Sequence, residues 1–138
     1  ILQPTVPLRQ VSHIREAVDL AQKTGPDSVV SVSPIPQHFN PHWQFTISED
    51  GKLKLFTGEP FARIITRRQE LPPTYTRNGA IYLLETDVLF SERPSLYGGN
   101  VLAYVMDSKF SVNIDDPSDW EIAEKAMMQI LDSPHPPR

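Results

Sequence analysis

Four short segments carry side chains that suit an anionic, hydroxylated ligand. In the first, Gln3, Thr5 and Arg9 offer an amide, a hydroxyl and a guanidinium within a proline-rich loop. In the second, Arg67 and Arg68 place two guanidinium groups side by side, and their forked geometry matches a carboxylate or a phosphate. Both segments also have an ordinary structural explanation. The loop could be a plain connection, and the arginines could form a solvated basic turn.

The other two segments lie at the ends of predicted elements. Residues 78–82 read Asn-Gly-Ala-Ile-Tyr, a turn pair followed by an apolar strand, and the small residues would let a ligand approach the backbone. Between residues 111 and 117, alternation places Asn113 and Asp115 on one side, where their oxygens could hold magnesium against phosphates. The structural alternatives are a plain turn and a helix N-terminus, which favours acidic residues whatever the function.

Several other chemistries find no support. The chain has no cysteine, which excludes disulfides, thiolate metal sites and cysteine nucleophiles and favours a cytoplasmic protein. Its four histidines lack zinc-ligand spacing, and no phosphate-cradling glycine loop or serine-hydrolase elbow occurs. The formal net charge of -4 gives no general attraction to polyanions, and no apolar run approaches the ~20 residues of a membrane span. We therefore expect neither nucleic acid nor membrane as a partner.

The elements that would position the four segments begin as a βαβ unit. Ile1-Leu2 reads as the end of a buried strand, and from this apolar start we expect the chain to be a fragment. Ser12 would cap a helix that stops at Gly25-Pro26, and residues 28–32 form a β-branched strand. This order implies a parallel sheet with the loop after the first strand at its ligand-binding edge.

The region from about Trp43 to Tyr75 interrupts this alternation of strands and helices. Its two strand-like runs, 43–47 and 52–56, flank an Asp50-Gly51 pair, which predicts a hairpin. We therefore interpret residues 43–75 as an arm that leaves the main sheet.

The pattern returns to α/β after the arm. We predict a central strand at 80–84, a short helix capped by Thr86, an apolar strand at 101–106 and a last helix with Asp116 as cap. Ile122, Ala123, Ala126, Met127 and Ile130 would form the buried face of that last helix. Residues 133–138 form a predicted disordered tail, so the domain would occupy 1–132.

In this order and spacing, the four segments resemble the acylneuraminate cytidylyltransferase family of CMP-sialic acid synthetases. The resemblance runs from Ile1 to about Leu131, as the C-terminal part of a family member. The matching stretches are Leu2–Arg9, Arg68–Pro72, Asn78–Tyr82, Ser111–Asp115, Asp119-Trp120 and Ile122–Glu124.

The resemblance implies an enzyme that transfers CMP from CTP to a 2-keto sugar acid, releases pyrophosphate and uses Mg²⁺. It implies a three-layer, Rossmann-like nucleotide-sugar transferase fold with a mixed sheet, truncated at its N-terminus, and a homodimer built by the 43–75 arm. Gln3 would contact the sugar, Arg68 with Gln69 its carboxylate, and Asn78 and Tyr82 would line the sugar pocket. Asp115, the catalytic residue, would bind magnesium with Asn113.

The sequence departs from the family pattern at three places. Val6 stands where the family usually has Ser, and Asn113 where it commonly has Asp, a better magnesium ligand than an amide. Residues 96–99 read Leu-Tyr-Gly-Gly in place of the aromatic residues that some members offer to the N-acyl group. The family's CTP-binding loop precedes the point where this chain begins, so the chain alone is expected to be inactive. A non-catalytic module that binds sugar acids or mediates association, and a 3-deoxy-octulosonate cytidylyltransferase, remain alternatives.

Overall fold

The computed structural model of the chain describes residues 1–132, and the predicted disordered tail lies outside them. The chain forms two compact units, one made of residues 1–33 with the chain from Arg77 onwards and the other of Pro34–Thr76. The fold is α/β, with helices and a mixed sheet in the first unit and a hairpin in the second. None of the helices within residues 1–132 is long and apolar enough to cross a membrane.

Helix α1, Val11–Thr24, differs from its prediction only at its start. The predicted cap, Ser12, is wrong: Gln10 occupies the N-cap position, and its N–H donates to Nδ1 of His13 at 3.1 Å. The imidazole thus accepts a hydrogen bond from the backbone N–H of the N-cap residue, a group that the side chain of a serine cap would not satisfy. Gly25 ends the helix as predicted, in the left-handed conformation at φ 59°.

The main sheet has the strand order β4-β1-β5 and mixes parallel with antiparallel pairing. Strand β1, Ser28–Pro34, pairs in parallel with β5, Val101–Val105. Strand β4, Tyr75–Leu84, is longer than predicted. After the end of β4, Glu85 donates its N–H to the carbonyl of Asp27, just before β1 starts (3.0 Å), so these two strands run antiparallel. The sheet is therefore mixed, as the family resemblance implied, and not purely parallel as the βαβ pattern alone suggested.

Ile1 lies along the other edge of β4. It exchanges two backbone hydrogen bonds with Tyr82, one of 2.6 Å and one of 3.0 Å, which is the reciprocal pattern of an antiparallel pair. Ile1 and β1 consequently run in the same direction, with β4 between them. The βαβ prediction missed this intervening strand because β4 comes much later in the sequence.

The remaining elements of the first unit pack on this sheet. Helix α2 is short, Thr86–Leu89, and Glu85 rather than the predicted Thr86 occupies its cap position. Helix α3, Pro117–Leu131, starts at the predicted cap Asp116, but Ile122, expected in its buried face, is 54% exposed. The core consists of buried residues from the first loop, α1, β1 and β4 and from the end of β5, namely Val6, Ala17, Val29, Ala80, Ile81 and Met106.

The second unit contains the predicted hairpin. Strands β2, Phe45–Ile47, and β3, Leu53–Leu55, pair antiparallel around a turn with Gly51 at φ 79°. Short 3₁₀ helices complete it at Gln37–Phe39, Pro41–Trp43, Phe61–Arg63 and Arg68–Glu70.

Candidate functional site

The loop from Gln3 to Arg9 contacts strand β4 at Gly79 and Ala80. Gly79 has a φ of 72°, a conformation that residues with a Cβ rarely adopt. A Cβ at this position would also collide with the side-chain Oε1 of Gln3. The glycine is therefore favoured by the backbone conformation, and a Cβ here would push the exposed Gln3 amide aside.

Asn78, predicted to line the sugar pocket, uses its whole amide inside the protein. It is 7% exposed, and its Oδ1 lies 2.6 Å from Ser31 Oγ and 3.1 Å from the N–H of Ala80. Its Nδ2 donates to Ser111 Oγ at 2.9 Å and contacts the Met106 sulfur at 3.5 Å. These contacts account for its hydrogen-bonding capacity in this structure, and its role in lining a sugar pocket stays a prediction.

Three further hydrogen bonds hold the loop, one within it and two to neighbouring segments. Arg9 donates from Nη1 to the carbonyl of Ala80 at 2.8 Å and to that of Gln3 at 3.2 Å. On the other side, Ile114 donates its N–H to the Thr5 carbonyl at 2.9 Å. The structure thus brings Gln3, the 78–80 segment and the segment around Ile114 together on one loop.

Tyr82 belongs to a neighbouring aromatic cluster. Its ring is buried and meets the Tyr97 ring edge-on, with 6.5 Å between the centroids. The Arg77 guanidinium lies 3.3 Å from the Tyr97 hydroxyl, and this hydrogen bond raises the pKa of Arg77. Tyr97 and Arg77 were not among the predicted site residues, although the Leu-Tyr-Gly-Gly stretch had marked the position of Tyr97.

The predicted metal ligands lie at the start of α3. Asp115 is exposed on the wall of an open groove of about 580 Å³. Asn113 donates from Nδ2 to Asp115 Oδ2 at 2.7 Å, while its Oδ1 is buried without a partner. Asp119 accepts the N–H groups of Asp115 and of the helix cap at 2.9 and 3.0 Å, so its carboxylate is committed to the helix N-terminus.

These residues fit a magnesium ion only as part of a shared site. No group of three or more His, Cys, Asp or Glu residues between 1 and 132 could hold a metal by itself. Asp115 nevertheless offers an exposed carboxylate, and Mg²⁺ is commonly held by one or two carboxylates together with substrate phosphates and water. Asn113 would have to present its Oδ1 to act as the second ligand, because its Nδ2 is what faces Asp115 here.

Arg68 and Gln69 belong to the second unit. Both are exposed on the 3₁₀ helix Arg68–Glu70. The Nε of Arg68 donates to the Gln37 side chain, and the neighbouring Arg67 pairs with Glu70 at 3.6 Å. Nothing within this unit buries the Arg68 guanidinium, which leaves it open to an anionic ligand.

Ser31, which supports the 78–81 segment from behind, is a further residue that the sequence did not reveal. It is fully buried in β1, and its Oγ accepts the N–H of Ile81 at 2.7 Å besides its contact with Asn78. The available signal was a hydroxyl inside the Val-Val-Ser-Val run of a buried strand, since a buried polar group requires partners.

Comparison with known proteins finds relatives that are named as cytidylyltransferases or as a CMP-sugar acid synthase. No family model matches it. The CMP-N,N'-diacetyllegionaminic acid synthase of Legionella pneumophila is 37% identical over 128 residues, which cover 92% of this chain and 52% of the relative. The N-acylneuraminate cytidylyltransferase of Streptococcus agalactiae serotype V is 33% identical over 87% of this chain and 28% of the relative. N-acylneuraminate cytidylyltransferase A of Danio rerio is 32% identical over 93% and 28%.

The chain therefore spans between about a quarter and about half of the length of these relatives. The similarity nevertheless covers nearly all of its own residues. With this degree of identity over almost its whole length, the chain belongs to the N-acylneuraminate cytidylyltransferase family.

Proposed function

We propose that this chain forms the sugar-acid side of an enzyme that transfers CMP from CTP to the anomeric hydroxyl of a 2-keto sugar acid. The anomeric oxygen would attack the α-phosphorus of CTP, the bond to the β-phosphate would break, and pyrophosphate would leave. One observation carries the proposal. The Gln3–Arg9 loop contacts Gly79, Ala80 and Ile114, so that segments far apart in the sequence meet at this loop.

Gln3 is the residue of this loop best suited to bind the sugar. Its side chain is exposed and makes no hydrogen bond within the described part of the chain, although its Oε1 lies directly against Gly79. A held but unpaired amide can donate to and accept from sugar hydroxyls. Tyr97 would provide apolar ring surface for a substituent of the sugar next to the Arg77 guanidinium, and the buried Tyr82 ring would line the pocket behind it.

Asp115 would take part in binding Mg²⁺, with Asn113 as the proposed second ligand. When bound, the ion would screen the phosphates of CTP and polarise the attacking hydroxyl. Asn113 would also position Asp115, because its Nδ2 donates a hydrogen bond to one oxygen of the Asp115 carboxylate.

The sugar carboxylate is assigned to Arg68, assisted by Gln69. This assignment follows the family resemblance and is supported by the exposure of the guanidinium. A guanidinium can hold a carboxylate through two parallel hydrogen bonds, which would fix the acid for an in-line attack.

The remaining features of the complete enzyme belong to the same proposal. We assign CTP binding to residues outside 1–138, because the chain contains no phosphate-cradling glycine loop and spans only part of its relatives. The enzyme would have a three-layer, Rossmann-like fold and a cytoplasmic location. Residues 43–75 would be the dimerisation arm of a homodimer, and the exposed Phe45, Ile47 and Phe56 give that region an apolar surface.

The decisive experiment measures pyrophosphate release by the complete product of the gene, with CTP, Mg²⁺ and a panel of 2-keto sugar acids. We expect release with a sialic acid-like substrate. Asp115→Asn should abolish most of it, whereas Asp19→Asn, a matched change of an exposed carboxylate on α1, should leave it unchanged.

Each alternative predicts a distinct result. Release with 3-deoxy-octulosonate alone would identify the related octulosonate enzyme. Binding of sugar acids without any release would leave a non-catalytic module and contradict the proposal. Equal activity of the Asp115→Asn and Asp19→Asn variants would refute the role of Asp115.

A further inference from the structure

We infer that Ser31, in the middle of β1, is a positioning residue that fixes the Gln3 side chain through the backbone of β4. The structural part of this inference stands on the contacts alone. Its consequence for the enzyme, tighter binding of the sugar acid, rests on the proposed function.

At Gly79 the backbone of β4 is left-handed, and side chains accept the N–H groups of the next two residues. The N–H of Ile81 donates to Ser31 Oγ at 2.7 Å, and the N–H of Ala80 donates to Asn78 Oδ1 at 3.1 Å. In a regular strand pair, carbonyls of the neighbouring strand would accept such bonds. Ser31 and Asn78 thus replace part of the β-ladder just after the residue whose left-handed conformation interrupts it.

The Ser31 hydroxyl also contacts the Asn78 side chain, so the two side chains that accept these N–H groups are connected to each other. Ser31 Oγ lies 2.6 Å from Asn78 Oδ1 and 3.1 Å from the carbonyl of Ile81, so its single proton lies between two acceptors. Ser31 itself is completely buried, and its neighbours in β1 are valines. Without the hydroxyl, Ile81 would keep a buried, unsatisfied N–H, and a buried donor of this kind is costly.

The network reaches Gln3 through one residue. The conformation that it maintains at Gly79 leaves free the space in which Gln3 Oε1 lies. A β4 strand that relaxed toward the regular ladder would change the backbone at Gly79 and with it the wall against which the amide rests. Ser31 therefore acts on Gln3 from within the sheet, without touching it or any substrate.

The same network extends to the proposed metal-binding segment. Asn78 Nδ2 donates to Ser111 Oγ at 2.9 Å, and Ser111 lies two residues before Asn113. A hydroxyl at the centre of the sheet is thus connected to both sides of the proposed site.

Ser31→Ala tests the inference, and Ser28→Ala is its matched control. Ser28 lies on the same strand and is 2% exposed, but its Oγ has no hydrogen-bond partner. By amide hydrogen exchange in the full chain, Ser31→Ala should accelerate the exchange of the Ile81 amide by about tenfold, as expected for the loss of one hydrogen bond. It should also shift the Gln3 side-chain amide resonances, while Ser28→Ala should change neither.

A second experiment measures Michaelis constants with the complete gene product. Ser31→Ala should raise KM for the sugar acid roughly fivefold to tenfold and leave KM for CTP unchanged. In a Gln3→Ala background the same substitution should add little, because the residue through which it acts is already gone.

The outcomes separate this inference from the proposed function. Unchanged Gln3 resonances in Ser31→Ala would overturn the inference whatever the enzyme does. Shifted resonances in a protein that acts on no sugar acid would support the positioning role and refute the proposed function. Equal effects of Ser31→Ala on KM in the presence and absence of Gln3 would show a merely structural role and overturn the inference.

Discussion

The two segments predicted to face the sugar acid, 78–82 and 67–71, differ in how their polar groups are held. Asn78 is buried and its amide bonds to Ser31, Ala80 and Ser111. Arg68 is exposed, with one hydrogen bond to the Gln37 side chain. The first segment is fixed by the folding of the sheet, whereas the second has an exposed side chain that retains freedom of movement.

This contrast separates two ways of building a site. A buried, satisfied network stabilises the fold and sets geometry before any ligand arrives. An exposed guanidinium contributes little to stability and keeps its hydrogen-bonding capacity for a ligand. Substitutions should therefore affect stability in the first segment and ligand affinity in the second.

The largest expected effect on stability is that of Asn78→Ala. It would leave the buried Ala80 N–H without its acceptor and remove one hydrogen bond from each of the Ser31 and Ser111 hydroxyls, and we expect a loss of about 2–3 kcal/mol in the free energy of unfolding. Urea denaturation measures it. Asn100→Ala, at an exposed asparagine, is the control and should stay within about 0.5 kcal/mol of the parent. Equal losses in both variants would remove the contrast between the segments.

Gly79→Ala should rank next. A Cβ at a φ of 72° destabilises by about 1–2 kcal/mol, and here it also displaces the Gln3 amide. Gly51→Ala is a matched control, because Gly51 has a φ of 79° but a Cβ added there would meet no atom within 4 Å. Both variants should lose stability in thermal unfolding, but only Gly79→Ala should raise KM for the sugar acid. A change in KM with Gly51→Ala would contradict this assignment.

Protonation of His13 should produce a smaller, pH-dependent effect in the buried region. Burial lowers the pKa of His13 below its ordinary 6.5, against the opposing influence of Glu16 and Asp107. The unfolded chain then binds the proton more readily, so this contribution is complete above pH 6.5 and is lost as the pH falls through the lowered pKa. Unfolding measured from about pH 7.5 to about pH 5 should show the decline, and His13→Gln should reduce it. An identical pH profile in the variant would refute the role of His13.

Arg68→Ala should change stability least, by less than about 0.5 kcal/mol. Its effect should appear instead in KM for the sugar acid, with a rise of about tenfold or more from the loss of a charge-assisted hydrogen bond. Arg67→Ala, one residue away, removes a guanidinium that pairs with Glu70 and serves as the control. A large loss of stability with Arg68→Ala, or a normal KM, would contradict the proposed difference between the segments.

The sequence predicted the local elements of the fold well. The cap of α3, the stop at Gly25, the hairpin around Asp50-Gly51 and strands β1 and β5 depend on neighbouring residues, and the structure confirms them. The position of β4 between Ile1 and β1 depends on contacts between residues about 80 positions apart. Periodicity in a single sequence does not contain that information.

The candidate site was predictable only in part, because a sequence shows residue types but not the contacts between distant residues. Residue types marked Gln3 and Asp115 as groups able to bind a ligand, and they are exposed in the structure. They marked Asn78 equally, although its amide bonds to other groups of the protein, because residue type alone does not show what an amide contacts. Ser31 was not identified, since only its proximity to Ile81 reveals what its hydroxyl does.

The hydrogen bonds around Arg9 bear on how a substrate can enter. The guanidinium connects the end of the first loop to the carbonyl at its beginning and to β4, and Thr5 is tied to Ile114. A segment attached at so many points is a poor candidate for a moving lid, because opening it would break several bonds at once. Any closure around a bound sugar acid would have to come from other parts of the enzyme, with this loop serving as the stationary wall.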